Sequence, residues 1–85
     1  MITLLPISLE LQKEIDRHML TKKFTKQVNL LVQNLRHPSL NVEVLEPKLR
    51  GIYSFRIDLK YRALFIFDAT TQTLEILKIT VHYNK

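Results

Sequence analysis

Arginine, histidine and tyrosine side chains with a carboxylate nearby, such as Glu43, form the most plausible reactive constellation, and these residue types suit acid–base chemistry on phosphates. Histidine suits acid or base work because its pKa lies near neutrality. Arginine suits phosphate because its guanidinium is a planar fork that is always charged. A glutamate such as Glu43 can act as a base. Together, such groups could cleave a phosphodiester without a metal, by deprotonating a 2′-hydroxyl, stabilising the phosphorane and protonating the leaving oxygen.

The sequence lacks the residues that several other active-site chemistries require. The chain has no cysteine, which excludes thiolate nucleophiles and zinc–thiolate sites, and its single glycine, Gly51, cannot form a nucleotide-binding loop. The three histidines, His18, His37 and His82, have no metal-ligand spacing, and the three serines are dispersed. We therefore expect no metal site and no cofactor.

Length and composition predict one domain, spanning residues 1–85. Hydrophobic residues make up 46% and charged residues 25%, as in a globular protein rather than a disordered one. The formal charge of +5 fits a polyanionic or acidic protein partner, or simply a soluble basic domain. The start of the sequence does not resemble a signal peptide, and no apolar run is long enough to span a membrane, so we expect a cytoplasmic protein without a membrane partner.

The spacing of apolar residues predicts the helices and strands that position these side chains. A short apolar strand over residues 2–5 precedes a helix capped by Ser8, with Leu11, Ile15 and Met19 on its apolar face. A second helix is predicted over residues 21–35. A short strand at Val42 and Val44 follows, then a turn at 47–51 and strands over 52–58, 61–67 and 73–83. This order predicts an α+β two-layer domain, with both helices on one face of a mostly antiparallel sheet.

Strand alternation predicts which residues share a face. The inner face would hold Phe55 and Ile57, then Phe65 and Phe67, then Leu77, Ile79 and Val81. The outer face would hold Arg56, Arg62, Lys78 and His82, together with the apolar Leu64, Ile66 and Leu74. The two arginines share a face only if Ile57 pairs with Tyr61 across a three-residue loop. On this arrangement Arg62 faces solvent and contributes little to stability, whereas Phe55 and Leu77 contribute to the core.

Several segments in order, together with the length, resemble the RelE/ParE superfamily of bacterial and archaeal toxins. These segments are His37-Pro38-Ser39-Leu40, Leu49 to Ile57, Tyr61 to Phe65, and Ile79-Thr80-Val81-His82-Tyr83. The resemblance covers nearly the whole chain and is greatest to the RelE- and YoeB-like mRNA interferases.

The resemblance implies a toxin of a type II toxin–antitoxin module, silenced by a cognate antitoxin protein. RelE- and YoeB-like members bind the 30S A site of the ribosome and cut mRNA there, leaving a 2′,3′-cyclic phosphate. ParE-like members lack the nuclease residues and inhibit DNA gyrase. A third alternative is an inactive member that retains only antitoxin binding.

The family pattern also implies roles for individual residues. Glu43 is the expected base, with Glu46 as its rival, Arg62 contacts the phosphate, and His82 is the acid or positions it. Tyr83 would stack on a base of the RNA. The remaining basic positions expected to bind RNA are Lys48, Arg50, Arg56 and Lys78.

Overall fold

The chain folds in the predicted order of one strand, two helices and four strands. A computed structural model describes residues 2–46 and 51–81. The elements are β1 (Thr3–Leu4), α1 (Leu9–Arg17), α2 (Thr21–Gln33), a 3₁₀ turn (Pro38–Leu40), β2 (Glu43–Glu46), β3 (Ile52–Arg56), β4 (Tyr61–Asp68) and β5 (Thr73–Val81).

The five strands form one sheet in the order β1-β5-β4-β3-β2. Of the four strand pairings in the described residues, the pairing of β1 with β5 is parallel and the other three are antiparallel, so the sheet is mostly antiparallel as predicted. The helices cover one face, and the core between the two layers contains Leu11, Ile15, Phe24, Leu31, Phe55 and Phe65. None of the helices in the described residues is both long and apolar enough to cross a membrane.

The first helix begins and ends through local hydrogen bonds. The Ser8 hydroxyl accepts from the Leu11 amide at 3.1 Å, which confirms the predicted N-cap. At the other end, the Met19 amide donates to the Asp16 carbonyl and the Leu20 amide to the Ile15 carbonyl, a Schellman motif. The motif needs a left-handed residue, and Met19 takes it with φ 57°.

The prediction that Met19 continues the apolar face of the first helix is therefore wrong. The helix stops at Arg17, and the Met19 side chain is 88% exposed. Leu20, which is buried, contacts the core in its place. The second helix likewise ends before the predicted boundary, at Gln33, and Asn34 caps it in an extended conformation.

A β-bulge in β5 overturns part of the predicted inner face. Leu64 pairs with Lys78 and Phe65 with Ile76, which leaves Leu77 as the extra residue. The bulge reverses the alternation, so Leu74 and Ile76 point into the core together with Ile79. Leu77 and Val81 are instead 37% and 39% exposed, so neither belongs to the core, and Leu74 does not lie on the outer face.

The loop between β3 and β4 is held by Asp58. Its carboxylate accepts from the amides of Lys60 and Tyr61, both at 2.8 Å, and pairs with Lys23 of α2 at 3.3 Å. Burial acts to raise the pKa of Asp58, but these donors outweigh it and lower the pKa below its usual value. The carboxylate thereby links the loop to the helical layer.

Phe55→Ala and Leu77→Ala test the corrected core. Phe55 is fully buried, so its truncation should cost about 3–5 kcal/mol of unfolding free energy. Truncation of the half-exposed Leu77 should lower the unfolding free energy by about 1 kcal/mol or less. Denaturant-induced unfolding of both variants measures the difference, and equal losses would contradict the bulge at Leu77.

Asp58→Asn tests the loop anchor through pH. Because the folded state lowers the pKa of Asp58, its contribution to stability is present above the usual aspartate pKa. It is lost as the pH falls below about 4. Thermal unfolding from pH 7 to 3 should show a smaller acid-induced loss in Asp58→Asn than in the unaltered chain. Glu75→Gln, at an exposed position on β5, is the matched control; an identical acid loss in Asp58→Asn would contradict the anchor.

Candidate active site

The register between β3 and β4 brings two arginines together on the outer face of the sheet. Arg56 and Arg62 are direct partners across the two strands. The Ile57 amide donates to the Tyr61 carbonyl at 2.9 Å, so the loop has the three residues that the shared face requires. The predicted placement of both arginines on one face is confirmed.

A second row of residues crosses the same face beside the arginines. Glu43 of β2 pairs with Ser54 of β3, Ser54 pairs with Leu64 of β4, and Leu64 pairs with Lys78 of β5. The structure thus brings four of the predicted site residues onto one face: Glu43, Arg56, Arg62 and Lys78. Among them Glu43 and Lys78 are exposed, and Arg56 is half-buried.

Arg62 does not face solvent as predicted, because its side chain lies flat along the sheet and is only 4% exposed. Its Nε donates to the Ser54 hydroxyl at 2.9 Å, and its Nη2 donates to the Ser54 carbonyl at 3.2 Å. Nη2 also donates to the Asn41 carbonyl. A buried charge without such partners would be costly, so these oxygens explain how the group tolerates burial.

The guanidinium of Arg62 lies between a carboxylate and a second cation. Burial is the main influence and lowers the pKa of Arg62, the nearby Glu43 raises it, and Arg56 lowers it again through like-charge repulsion. Arginine nevertheless remains protonated in proteins. The site therefore keeps two adjacent positive charges, which suits a phosphodiester more than a neutral ligand.

Glu43 is placed to act on a group bound at these arginines. Its Oε1 lies 3.9 Å from Arg62 Nη2, outside hydrogen-bond distance, and its side chain is 46% exposed. A carboxylate with this freedom can accept a proton from a substrate hydroxyl, while the arginines stabilise charge on the adjacent phosphorus.

Three residues that support the site do not follow from the sequence pattern alone: Gln27, Asn41 and Ser54. The buried amide of Gln27, on α2, donates to the carbonyls of Ser39 at 3.2 Å and Arg56 at 2.7 Å. Asn41 ends the 3₁₀ turn in a left-handed conformation, with φ 44°, which aims its carbonyl at Arg62. The available signals were a polar residue on an apolar helix face and an asparagine after a short turn.

The other predicted site residues are not placed by the structure. Lys48, Arg50, His82 and Tyr83 lie outside the described residues, as does most of the predicted turn at 47–51. The backbone of Glu46 belongs to β2. Within residues 2–46 and 51–81, no cluster of three or more histidine or acidic residues could hold a metal ion.

A groove of about 580 Å³ opens on the opposite side of the sheet. It lies beside the end of α2 and the 3₁₀ turn, and its lining includes Val42, Tyr53, Phe65 and Phe67. Of the predicted catalytic residues that the structure describes, neither Glu43 nor Arg62 lines this groove.

Arg62→Ala should destabilise the fold, whereas the same substitution at a solvent-exposed arginine should have little effect. Removing the guanidinium leaves the buried Ser54 oxygens without their partner, which costs about 1–3 kcal/mol of unfolding free energy. Arg36→Ala, at an exposed position, should change it by about 0.5 kcal/mol or less. Urea unfolding of both variants distinguishes them, and an unchanged midpoint for Arg62→Ala would contradict its buried contacts.

Comparison with known proteins finds its matches among solved structures. No family model matches the chain, and no curated protein does. A YoeB/ParE toxin from Agrobacterium tumefaciens superposes with a TM-score of 0.70 at 18% identity, covering 96% of this chain and 98% of that one. At this identity the match shows the fold alone.

Two Staphylococcus aureus structures are more similar in sequence. The YoeB dimer is 29% identical with a TM-score of 0.58, covering 96% of this chain and 95% of that one. The toxin–antitoxin complex YoeB–YefM matches at 24% identity with a TM-score of 0.59, covering 98% and 99%. With the element order and sheet topology described above, these matches show that the chain has the fold of the YoeB-like toxins.

Proposed function

We propose that this protein is the toxin of a type II toxin–antitoxin system and a ribosome-dependent endoribonuclease that cleaves mRNA. The observation that carries the proposal is the outer-face cluster in which the Glu43 carboxylate stands 3.9 Å from Arg62, with Arg56 as the direct neighbour of Arg62. A base beside two cations is what attack by a 2′-hydroxyl on its own phosphodiester requires.

The proposed reaction needs no metal. Glu43 takes the proton of the 2′-hydroxyl, and the oxygen attacks the adjacent phosphorus to form a 2′,3′-cyclic phosphate. Arg62 and Arg56 stabilise the negative charge that develops on the phosphorane. The bond to the 5′-oxygen breaks, and that oxygen takes a proton from His82, the expected acid. Tyr83 holds the RNA by stacking on an unpaired base.

The proposed partners follow from charge and from the neighbours. A net charge of +5 favours RNA, and Lys48, Arg50, Arg56 and Lys78 are the residues proposed to bind it at the 30S A site. The S. aureus structure of YoeB with YefM supports a cognate antitoxin for this chain as well. Both partners imply action in the cytoplasm.

Cleavage of mRNA in a translating extract, mapped by primer extension, tests the proposed function. The unaltered chain should produce new cuts at ribosome-bound codons. Glu43→Gln and His82→Ala should each lower the cleavage rate by about 10²–10⁴-fold, the usual contribution of a general acid or base. Arg17→Ala, on the exposed side of α1, is the control and should cleave normally.

The other possible outcomes of this experiment correspond to other functions of the chain. A folded chain that makes no cuts contradicts the nuclease, and inhibition of DNA gyrase supercoiling by that chain would then indicate a ParE-like toxin. A chain that does neither yet binds its antitoxin would be an inactive member of the superfamily.

A further inference from the structure

The charge of Arg62 is held in place by neutral oxygens rather than by a carboxylate. Within residues 2–46 and 51–81, three acceptors contact it, namely the Ser54 hydroxyl at 2.9 Å, the Ser54 carbonyl at 3.2 Å and the Asn41 carbonyl. The Glu43 carboxylate lies beside it, with Oε1 at 3.9 Å from Nη2. A tight arginine–carboxylate pair would instead cancel the positive charge and occupy the base.

The three acceptors all contact the same edge of the guanidinium, the one formed by Nε and Nη2. Among the described residues, none accepts a hydrogen bond from Nη1. Since the guanidinium donates in a fixed planar fork, fixing one edge also fixes the direction in which the other edge points. That second edge can donate to a phosphate oxygen.

The acceptors are themselves fixed by the fold. Ser54 is only 2% exposed and lies inside the sheet, paired with Glu43 on one side and Leu64 on the other. Asn41 follows the 3₁₀ turn, which Gln27 ties to β3 through the carbonyls of Ser39 and Arg56. Two of the acceptor atoms are backbone carbonyl oxygens, and the third is the Ser54 Oγ, which is bonded directly to Cβ. None of them therefore depends on a long, flexible side chain.

We propose that Ser54 is a positioning residue that aims Arg62 at the scissile phosphate while leaving Glu43 unpaired as the base. Ser54 itself does not touch the RNA. Its hydroxyl determines the rotation of the guanidinium, and the Asn41 carbonyl supports the same edge. This role rests on the proposed nuclease function.

Ser54→Ala removes the hydroxyl that holds Nε and should lower kcat for mRNA cleavage by about tenfold to a hundredfold, because misplacing a catalytic group by about 1 Å has costs of that size. KM for mRNA-programmed ribosomes should change by about twofold or less, since the RNA-binding residues are untouched. Ser54→Thr restores a hydroxyl at a strand position that suits threonine, and should recover most of kcat. Thr25→Ala removes a hydroxyl from an exposed position on α2, away from this network, and should cleave normally.

The environment of Arg62 provides a second readout. In NMR spectra, the Arg62 Nε–H signal, assigned by its loss in Arg62→Lys, should exchange slowly with solvent in the unaltered chain and in Ser54→Thr. In Ser54→Ala it should exchange rapidly. A folded Ser54→Ala variant that cleaves with unchanged kcat, or that changes only KM, overturns the positioning role while leaving the nuclease intact. An unaltered chain that cleaves no mRNA overturns the proposed function itself.

Discussion

The outer-face site depends on the register of the hairpin formed by β3 and β4. Side chains alternate across a strand, so a slip of one residue would turn either Arg56 or Arg62 into the core. The three-residue loop prevents the slip, because the Asp58 carboxylate accepts from the amides of Lys60 and Tyr61 and so fixes the turn. The ion pair with Lys23 ties that turn to α2. A group outside the site thus determines which residues share its face.

Arg62 shows how a basic site can be rigid and still positive. Its guanidinium is nearly inaccessible to solvent and donates to neutral acceptors, while the Glu43 carboxylate lies outside hydrogen-bond distance at 3.9 Å. Burial strengthens electrostatic interactions because the surrounding medium is less polarisable than water. The arrangement therefore combines a stabilising hydrogen-bond network with a positive charge that no close ion pair cancels within the described residues.

The bulge at Leu77 also helps to determine which residues lie on the outer face, at the β5 side of the site. Strict alternation along β5 would place Ile76 and Lys78 on one face of the sheet. With Leu77 as the extra residue, Ile76 and Ile79 both enter the core, and Lys78 lies on the outer face in line with Leu64, Ser54 and Glu43. One additional residue in the strand thus reconciles a continuous core with a basic outer face.

The sequence by itself determined the order and type of the elements and the fold family. Helical spacing at Leu11, Ile15, Phe24, Val28 and Leu31, and strand alternation around Phe55 and Phe65, are local patterns that survive folding. Residue types and segment order also indicated the family fold, and strand alternation placed Arg56, Arg62 and Lys78 on a common face. The position of Glu43 on that face came from the pairing of β2 with β3.

Only the tertiary structure decided which of these residues are buried and what they contact. The Schellman motif that ends α1 at Arg17, and the bulge that exposes Leu77, each depend on hydrogen bonds that a local apolar pattern does not encode. The burial of Arg62 depends on oxygens of Ser54 and Asn41, which are distant from it along the chain and meet it only after the strands pair and the 3₁₀ turn docks. Periodicity predicts the face on which a side chain emerges, but its final conformation depends on acceptors that other elements bring to it.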